Sequence, residues 1–163
     1  MKTLKLHALI FLFCLSLSPA TLMAQTQSAQ ADTPDDHAEA VAGAMAALDD
    51  FMVAFNGRDM QAWAATLNYP HVRFASGTVT VWQDAEEFAQ EATFANLEAI
   101  GWDHSHWLSR EPVLVSPGKV HINTVFERFN GFNQQIGTYQ SLYIVTRDDD
   151  GNWGTQARSS LAP

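Results

Sequence analysis

Cysteine is almost absent from this chain of 163 residues, and the only one, Cys14, lies inside an N-terminal apolar run. Beyond that run, disulfides, a cysteine nucleophile and a thiolate metal site are therefore excluded. Long apolar runs are also missing, since Ala8 to Leu17 is too short to span a bilayer comfortably. With Lys2 and Lys5 before it and small residues after it, this run predicts a cleaved secretory signal over residues 1–24.

Positive charge is scarce as well, because 9 Lys and Arg stand against 18 Asp and Glu. Two of the basic residues lie in the predicted signal, so 7 basic and 18 acidic residues give the mature chain a net charge of −11. The sequence has no cluster of Lys and Arg that could neutralise phosphates, so no nucleic-acid partner is predicted. The acidity favours solubility, and no membrane association is expected after signal cleavage. The expected location is the periplasm or the exterior of the cell.

Helical patterns come first in the remainder of the chain. The polar segment 25–32 predicts a disordered tether. Beyond it, N-cap residues, apolar stripes and stop signals predict three helices. In chain order these are Thr33 to Gly57, Asp59 to Pro70 and Asp84 to Gly101.

Strand patterns follow the helices. A hairpin is predicted around Ser76-Gly77, and after Gly101 the apolar period changes to two. Turn signals separate four strand-like segments at 102–116, 119–129, 136–147 and 152–160. Helices followed by a long meander predict a single α+β domain over residues 33–160, in which helices cover one face of a strongly curved antiparallel sheet. A sheet that curls over helices leaves a cavity.

This order of elements, together with the segment "AFNGRDMQAW" and the turn "DGNW", resembles the superfamily of nuclear transport factor two, ketosteroid isomerase, scytalone dehydratase and the polyketide cyclases. The resemblance covers about Thr33 to Ser160 and extends to exported bacterial members of unassigned activity. It implies the cone-shaped, cystatin-like fold, and it also implies a homodimer, because sheet-to-sheet dimers are common in the superfamily. Since this fold carries enzymes, binding proteins and transport factors, the resemblance fixes no chemistry.

The acids that the isomerases of this superfamily use are missing. Their chemistry needs a carboxylate base on the first hairpin, a tyrosine from the first helix and a protonated acid on a later strand. Aligned through Asp59 and Gly151, these positions fall on Ala75, Phe51 and near Tyr143. Alanine cannot accept a proton and phenylalanine cannot donate one, so this mechanism is expected to be absent. Only Tyr143 keeps a hydrogen-bonding group, and no catalytic residue is assigned.

Aromatic and polar side chains that share strand faces predict a small-molecule site instead. Tyr139 and Tyr143 share one face of their strand, Arg158 lies on the last strand, and Phe51 and Trp63 offer an apolar wall. Together they suit a hydrophobic carbonyl or carboxylate ligand. With two histidines added, the predicted ligand-binding set is Tyr143, Arg158, His104, Phe51, Trp63, Tyr139 and His71.

Three alternatives stay open. The first is purely structural: the tyrosines pack and Arg158 pairs with Glu127. The second is a hydro-lyase or isomerase that uses a non-standard set on a shared cavity, drawn from His71, His104, His121, Tyr143 and Glu127. The third is a protein partner bound through the outer face of the sheet.

Strand alternation leaves two orientations undecided. It does not say whether Glu127 or Arg128 points inward, nor which face of the strand with His104 and His106 is inside. These two histidines, with others on the same sheet, could hold zinc. Because histidines on half-buried strands are more often structural, neither a metal nor another cofactor is predicted.

Overall fold

The computed structural model describes residues 33–162, so the predicted signal and tether lie outside the described residues. The described range contains helices and strands, in chain order α1 (Pro34–Gly57), α2 (Met60–Ala65), β1 (Leu67–Ala75), β2 (Thr78–Trp82), α3 (Ala85–Glu91), α4 (Ala95–Ala99), β3 (Trp102–Ser116), β4 (Lys119–Asn130), β5 (Gln135–Arg147) and β6 (Trp153–Ser160). Within residues 33–162, no helix has the length and apolar character needed to cross a membrane.

The helices begin where their capping residues predict. The Thr33 hydroxyl accepts a hydrogen bond from the Asp36 N–H, and the Asp36 carboxylate accepts one from the Thr33 N–H, which closes a capping box at the start of α1. The Asp59 carboxylate accepts from the Ala62 N–H at 2.9 Å and caps α2.

The helix ends differ from the prediction in two places. Helix α2 stops at Ala65, and Pro70 lies inside strand β1 rather than at the end of a helix. The segment predicted as a third helix is divided into α3 and α4, because Ala92 adopts an extended conformation with ψ of 144°. Two short helices therefore stand where one was expected. Helix α3 contacts α2 and β2, and helix α4 contacts β3.

All six strands form one curved sheet in the order β2-β1-β6-β5-β4-β3. Neighbouring strands are antiparallel except β1 and β6, which run parallel and join the two ends of the domain. The four strand segments predicted beyond Gly101 coincide with β3 to β6 within one residue at each end. The predicted fold class, an α+β domain with helices against a curved sheet, is confirmed.

The core lies between α1 and the inner face of the sheet. Leu48 and Phe51 of α1 are buried against Val120, Ile122 and Val145 of the central strands. This contact turns one face of β4 and β5 toward α1, and a cavity lies between the same face of the sheet and the helices.

A β-bulge decides the orientation of β3. The strand register shifts between Trp102 and His104, which reverses the alternation. Trp102 and Ser105 are consequently buried, and the Trp107 indole N–H donates to the Leu48 carbonyl of α1 at 3.2 Å. His104 therefore lies on the outer face.

Candidate ligand-binding cavity

A cavity of about 670 Å³ lies between the inner face of the sheet and the helices. Its apolar wall is aromatic and comes from α1, α2, β2 and α3, with Phe55, Trp63, Trp82 and Phe88. Its polar wall comes from the sheet and contains Arg73, Arg128, Tyr143 and Arg158. Such a composition offers an apolar body a place to pack and an anionic group a place to bind.

Two of the arginines are neighbours on adjacent strands. Arg73 of β1 pairs in register with Arg158 of β6, and Arg158 pairs with Tyr143 of β5 on its other side. Residues opposite each other in a sheet point to the same face, so both guanidinium groups and the phenol point into the cavity. Like charges in such positions repel and destabilise the sheet locally.

The third arginine, Arg128 of β4, points into the cavity, which answers whether Glu127 or Arg128 faces inward. Phe126 and Arg128 are 8 % and 7 % exposed and point inward, whereas Glu127 lies half-buried on the opposite face. The Arg128 guanidinium lies 4.7 Å from the ring of Tyr139 and 5.5 Å from that of Phe126. Ring faces therefore hold Arg128 in place.

Ring faces hold Arg158 as well. Its guanidinium lies 5.4 Å from the ring of Phe51 and 5.3 Å from that of Trp63. A cation held over a ring keeps the hydrogen-bonding edge of its guanidinium available for another acceptor. Both arginines are thus positioned without carboxylates.

None of the ion pairs found among residues 33–162 involves these three arginines. Buried Nε and Nη1 atoms of Arg128 and the Nε atom of Arg158 have no hydrogen-bond partner. The acidic residue of the cavity wall is Glu91, which is exposed at the rim and accepts from the Trp82 indole N–H at 3.1 Å. The alternative pairing of Arg158 with Glu127 is not formed, so the cavity holds uncompensated positive charge.

The pKa values of the site follow from this burial and crowding. Burial lowers the pKa of Arg73, and the charges of Arg158 and then Arg128 lower it further. Burial also lowers the pKa of Arg128, which Tyr139 opposes. For Tyr143, burial raises the pKa and the neighbouring arginines oppose this effect. Since arginine stays protonated and Tyr143 stays a neutral phenol, the part of the wall formed by the three arginines and Tyr143 offers hydrogen-bond donors.

The family described as "NTF2-like protein (DUF6841)" matches residues 38–157. The chain belongs to this NTF2-like family. No curated protein matches its sequence.

Solved structures share the NTF2-like fold at low identity. A ketosteroid isomerase-like protein from Erwinia carotovora atroseptica is 22% identical with a TM-score of 0.56, over 77% of this chain and 98% of that one. A protein of unknown function with a cystatin-like fold from Nostoc punctiforme is 13% identical with a TM-score of 0.62, over 76% and 90%. An NTF2-like protein from Novosphingobium aromaticivorans is 12% identical with a TM-score of 0.61, over 76% and 82%. At these identities the likeness shows the fold and leaves the chemistry to the site.

The NTF2-like cavity contains three of the residues predicted to bind ligand, namely Tyr143, Arg158 and Trp63. Two others are not among the lining residues but pack against arginines that are. Phe51 is 2 % exposed and packs under Arg158, and Tyr139 packs against Arg128.

The two predicted histidines do not reach the cavity surface. His71 is fully buried, with Nδ1 2.9 Å from the Thr155 carbonyl oxygen. Burial, helped by the charge of Arg158, lowers the pKa of His71 to about 3, so the ring is neutral. His104 lies on the outer face, with Nδ1 2.9 Å from the Asp103 carboxylate and its ring stacked on Phe129.

Sequence reasoning missed Arg73 and left Arg128 undecided. A signal for Arg73 was present, because it lies two residues before Ala75 and therefore shares the strand face on which the isomerase base was sought. Ala75 itself is buried on β1 and brings no carboxylate. An arginine thus stands near the position at which the resemblance implies the catalytic base of the isomerases.

The non-standard catalytic set is not assembled. Of His71, His104, His121, Tyr143 and Glu127, Tyr143 alone lines the cavity. No hydrogen bond between any two of them is found in the part of the chain that the structure describes. In the same range, no group of three or more His, Cys, Asp or Glu is placed to hold a metal ion.

Proposed function

We propose that this NTF2-like protein is an exported binding protein for a small organic anion with an aromatic or apolar body. The observation that carries the proposal is the convergence of Arg73, Arg128 and Arg158 on one cavity without a carboxylate partner among the described residues. Arg128 is buried, and Arg73 and Arg158 are half-buried. Burying a charge without a partner costs several kcal/mol. An anionic ligand would offset that cost on binding.

The distribution of charge supports this proposal. The chain has twice as many acidic as basic residues, yet three of its nine basic residues line the cavity. If these positions served only to fill the sheet interior, apolar side chains of similar size would do so at lower cost. Their place in an acidic protein favours a role in attracting and holding a negative group.

The aromatic wall of the cavity supports the proposal that the ligand has an aromatic or apolar body. Trp63 and Phe88 meet edge to face with ring centroids 4.9 Å apart, and Trp82 continues this surface. The volume of about 670 Å³ suits a small organic molecule, since such sites span about 300–1,000 Å³. A planar apolar body can pack there while its acid group reaches the sheet.

Isothermal titration with benzoate and with neutral benzamide tests the proposal, because the two differ mainly in charge. We expect benzoate to bind and to raise the Tm, and benzamide to do neither. Benzoate binding should weaken as salt increases, since added ions compete for the guanidinium groups. Equal binding of benzamide and benzoate, or no binding of either, would contradict an anion site.

The outer face of the sheet favours a second role, the binding of another copy of this chain. Apolar side chains lie next to one another across the strands, as the register Val81, Val72, Ala157 and Ile144 shows. In the adjoining row, Phe74 and Val79 are 46 % and 62 % exposed. This face is not uniformly acidic, and we propose that it forms a homodimer.

Replacing Phe74 by aspartate should convert the dimer to a monomer, because it places a charge beside the apolar row, within the proposed interface. Light scattering after size-exclusion chromatography measures the mass. The matched control is Val53→Asp, which alters an equally apolar side chain, 72 % exposed, on helix α1. A monomeric parent protein, or dissociation by the control alone, would rule out this interface.

A further inference from the structure

We infer that the ligand of this cavity carries two separate anionic groups, one bound by the Arg73–Arg158 pair and the other by Arg128. This inference rests on the proposed function and specifies the class of ligand. It predicts an organic dianion, such as an aromatic dicarboxylate, rather than a simple carboxylate.

The charge of the cavity wall gives the first argument. Three arginines line it against one glutamate, Glu91, so the wall carries a net charge of +2. A monoanion would leave one positive charge of the wall without compensation, whereas a dianion would neutralise the wall.

The arrangement of the arginines gives the second argument. Arg73 and Arg158 lie on adjacent strands and directly opposite each other. Arg128 lies on β4, which β5 separates from β6. In register, Arg128 lies opposite Gly137 of β5, whereas Arg158 lies opposite Tyr143 further along the same strand. The backbones of Arg128 and Arg158 are therefore separated by two strand spacings, about 10 Å, and by a further offset along the strands. The cavity therefore has two places for anionic groups along the sheet.

Each place has its own support and its own free donors. Arg158 is held by Phe51 and Trp63, and Arg128 by Phe126 and Tyr139, so the two guanidinium groups share no ring. Arg128 is 7 % exposed and has two unpartnered nitrogens, Nε and Nη1. A carboxylate can accept charge-assisted hydrogen bonds from such unpartnered guanidinium nitrogens.

The experiment is isothermal titration of the purified protein with benzoate and the three benzene dicarboxylates. Terephthalate should bind at least about tenfold more tightly than benzoate, because its second carboxylate adds a charge-assisted contact. Isophthalate should come next and phthalate last, since the two anionic groups have to reach arginines on different strands.

An Arg128→Met variant separates the two anion positions. The ratio of terephthalate affinity to benzoate affinity should fall close to one in this variant. Lys119→Met removes the same charge from the exposed start of β4 and should keep the ratio of the parent protein. A ratio that survives Arg128→Met would overturn the assignment of the second anion to Arg128.

The outcomes separate this inference from the proposed function. If benzoate and terephthalate bind equally, the cavity is an anion site but not a dianion site. If phenyl phosphate binds as tightly as terephthalate, one doubly charged group suffices and the two-position arrangement is wrong. If none of these anions binds, both the inference and the proposed function fail.

Discussion

Replacing Arg158 by methionine is expected to lower the affinity for aromatic carboxylates by about 100-fold. The substitution removes the charge partner of the bound carboxylate, and truncating one partner of a buried charge pair costs about 2–5 kcal/mol. Arg158 is the central member of the row, flanked by Arg73 on one strand and Tyr143 on the other. Without it, Arg73 has no neighbouring guanidinium with which to share an anion. Titration with benzoate and terephthalate measures the loss.

The same variant should not lower the stability of the ligand-free protein. Methionine keeps the apolar contact with Phe51 and Trp63, and it removes the repulsion between Arg158 and Arg73. The lost cation–π contact is worth about 1–2 kcal/mol. This loss is offset because the substitution removes the buried Nε atom of Arg158, a donor that has no hydrogen-bond partner. The free energy of unfolding in urea should therefore be equal to or above that of the parent.

Arg110→Met is the matched control for both measurements. Arg110 forms a 2.6 Å ion pair with Asp49 and donates to the Met45 carbonyl oxygen at 3.1 Å, and it is not part of the cavity wall. Its loss should lower the free energy of unfolding by about 1 kcal/mol and leave anion affinity unchanged. If Arg158→Met destabilised the protein more than Arg110→Met, Arg158 would be a structural residue rather than a ligand-binding one.

The elements of this fold could be predicted from the sequence because their signals are local. Thr33 and Asp59 cap helices through residues three positions away, and the strands beyond Gly101 follow from period-two alternation between turn residues. The parallel pairing of β1 with β6 could not be predicted in this way. It joins residues such as Arg73 and Arg158 that are far apart in the sequence and brings them side by side.

The cavity was harder to predict because alternation fixes two faces without saying which one is inside. Glu127 and Arg128 are equivalent by pattern, and only the contact of β4 with α1 and β5 buries Arg128. The bulge after Trp102 adds a second difficulty, since it breaks the alternation by which Trp102 and His104 would share a face, so that Trp102 is buried and His104 lies outside. Charge composition argued only against a polyanion partner and could not reveal three arginines on one cavity, because the few arginines are dispersed in the sequence and converge only in the folded sheet.

Phe51→Ala is expected to lower the free energy of unfolding by about 3–4 kcal/mol, because it opens a void in the buried core. Phe51 is 2 % exposed, and its ring centroid lies 5.8 Å from that of Trp63 and 5.6 Å from that of Tyr143. Its loss also removes one of the two rings that hold Arg158. Urea denaturation of the ligand-free variant measures the change.

Tyr143→Phe provides the contrast that separates packing from ligand binding. It keeps the ring and its contacts with Phe51 and Trp107, so the free energy of unfolding should fall by about 1 kcal/mol or less. It removes the phenol that faces the anion beside Arg158, so the affinity for benzoate should fall while the fold persists. Phe132→Ala, at a side chain 86 % exposed, should change neither quantity. Equal stability losses for Phe51→Ala and Tyr143→Phe would show that the Tyr143 hydroxyl is part of the core, and the anion would then have to bind through the arginines alone.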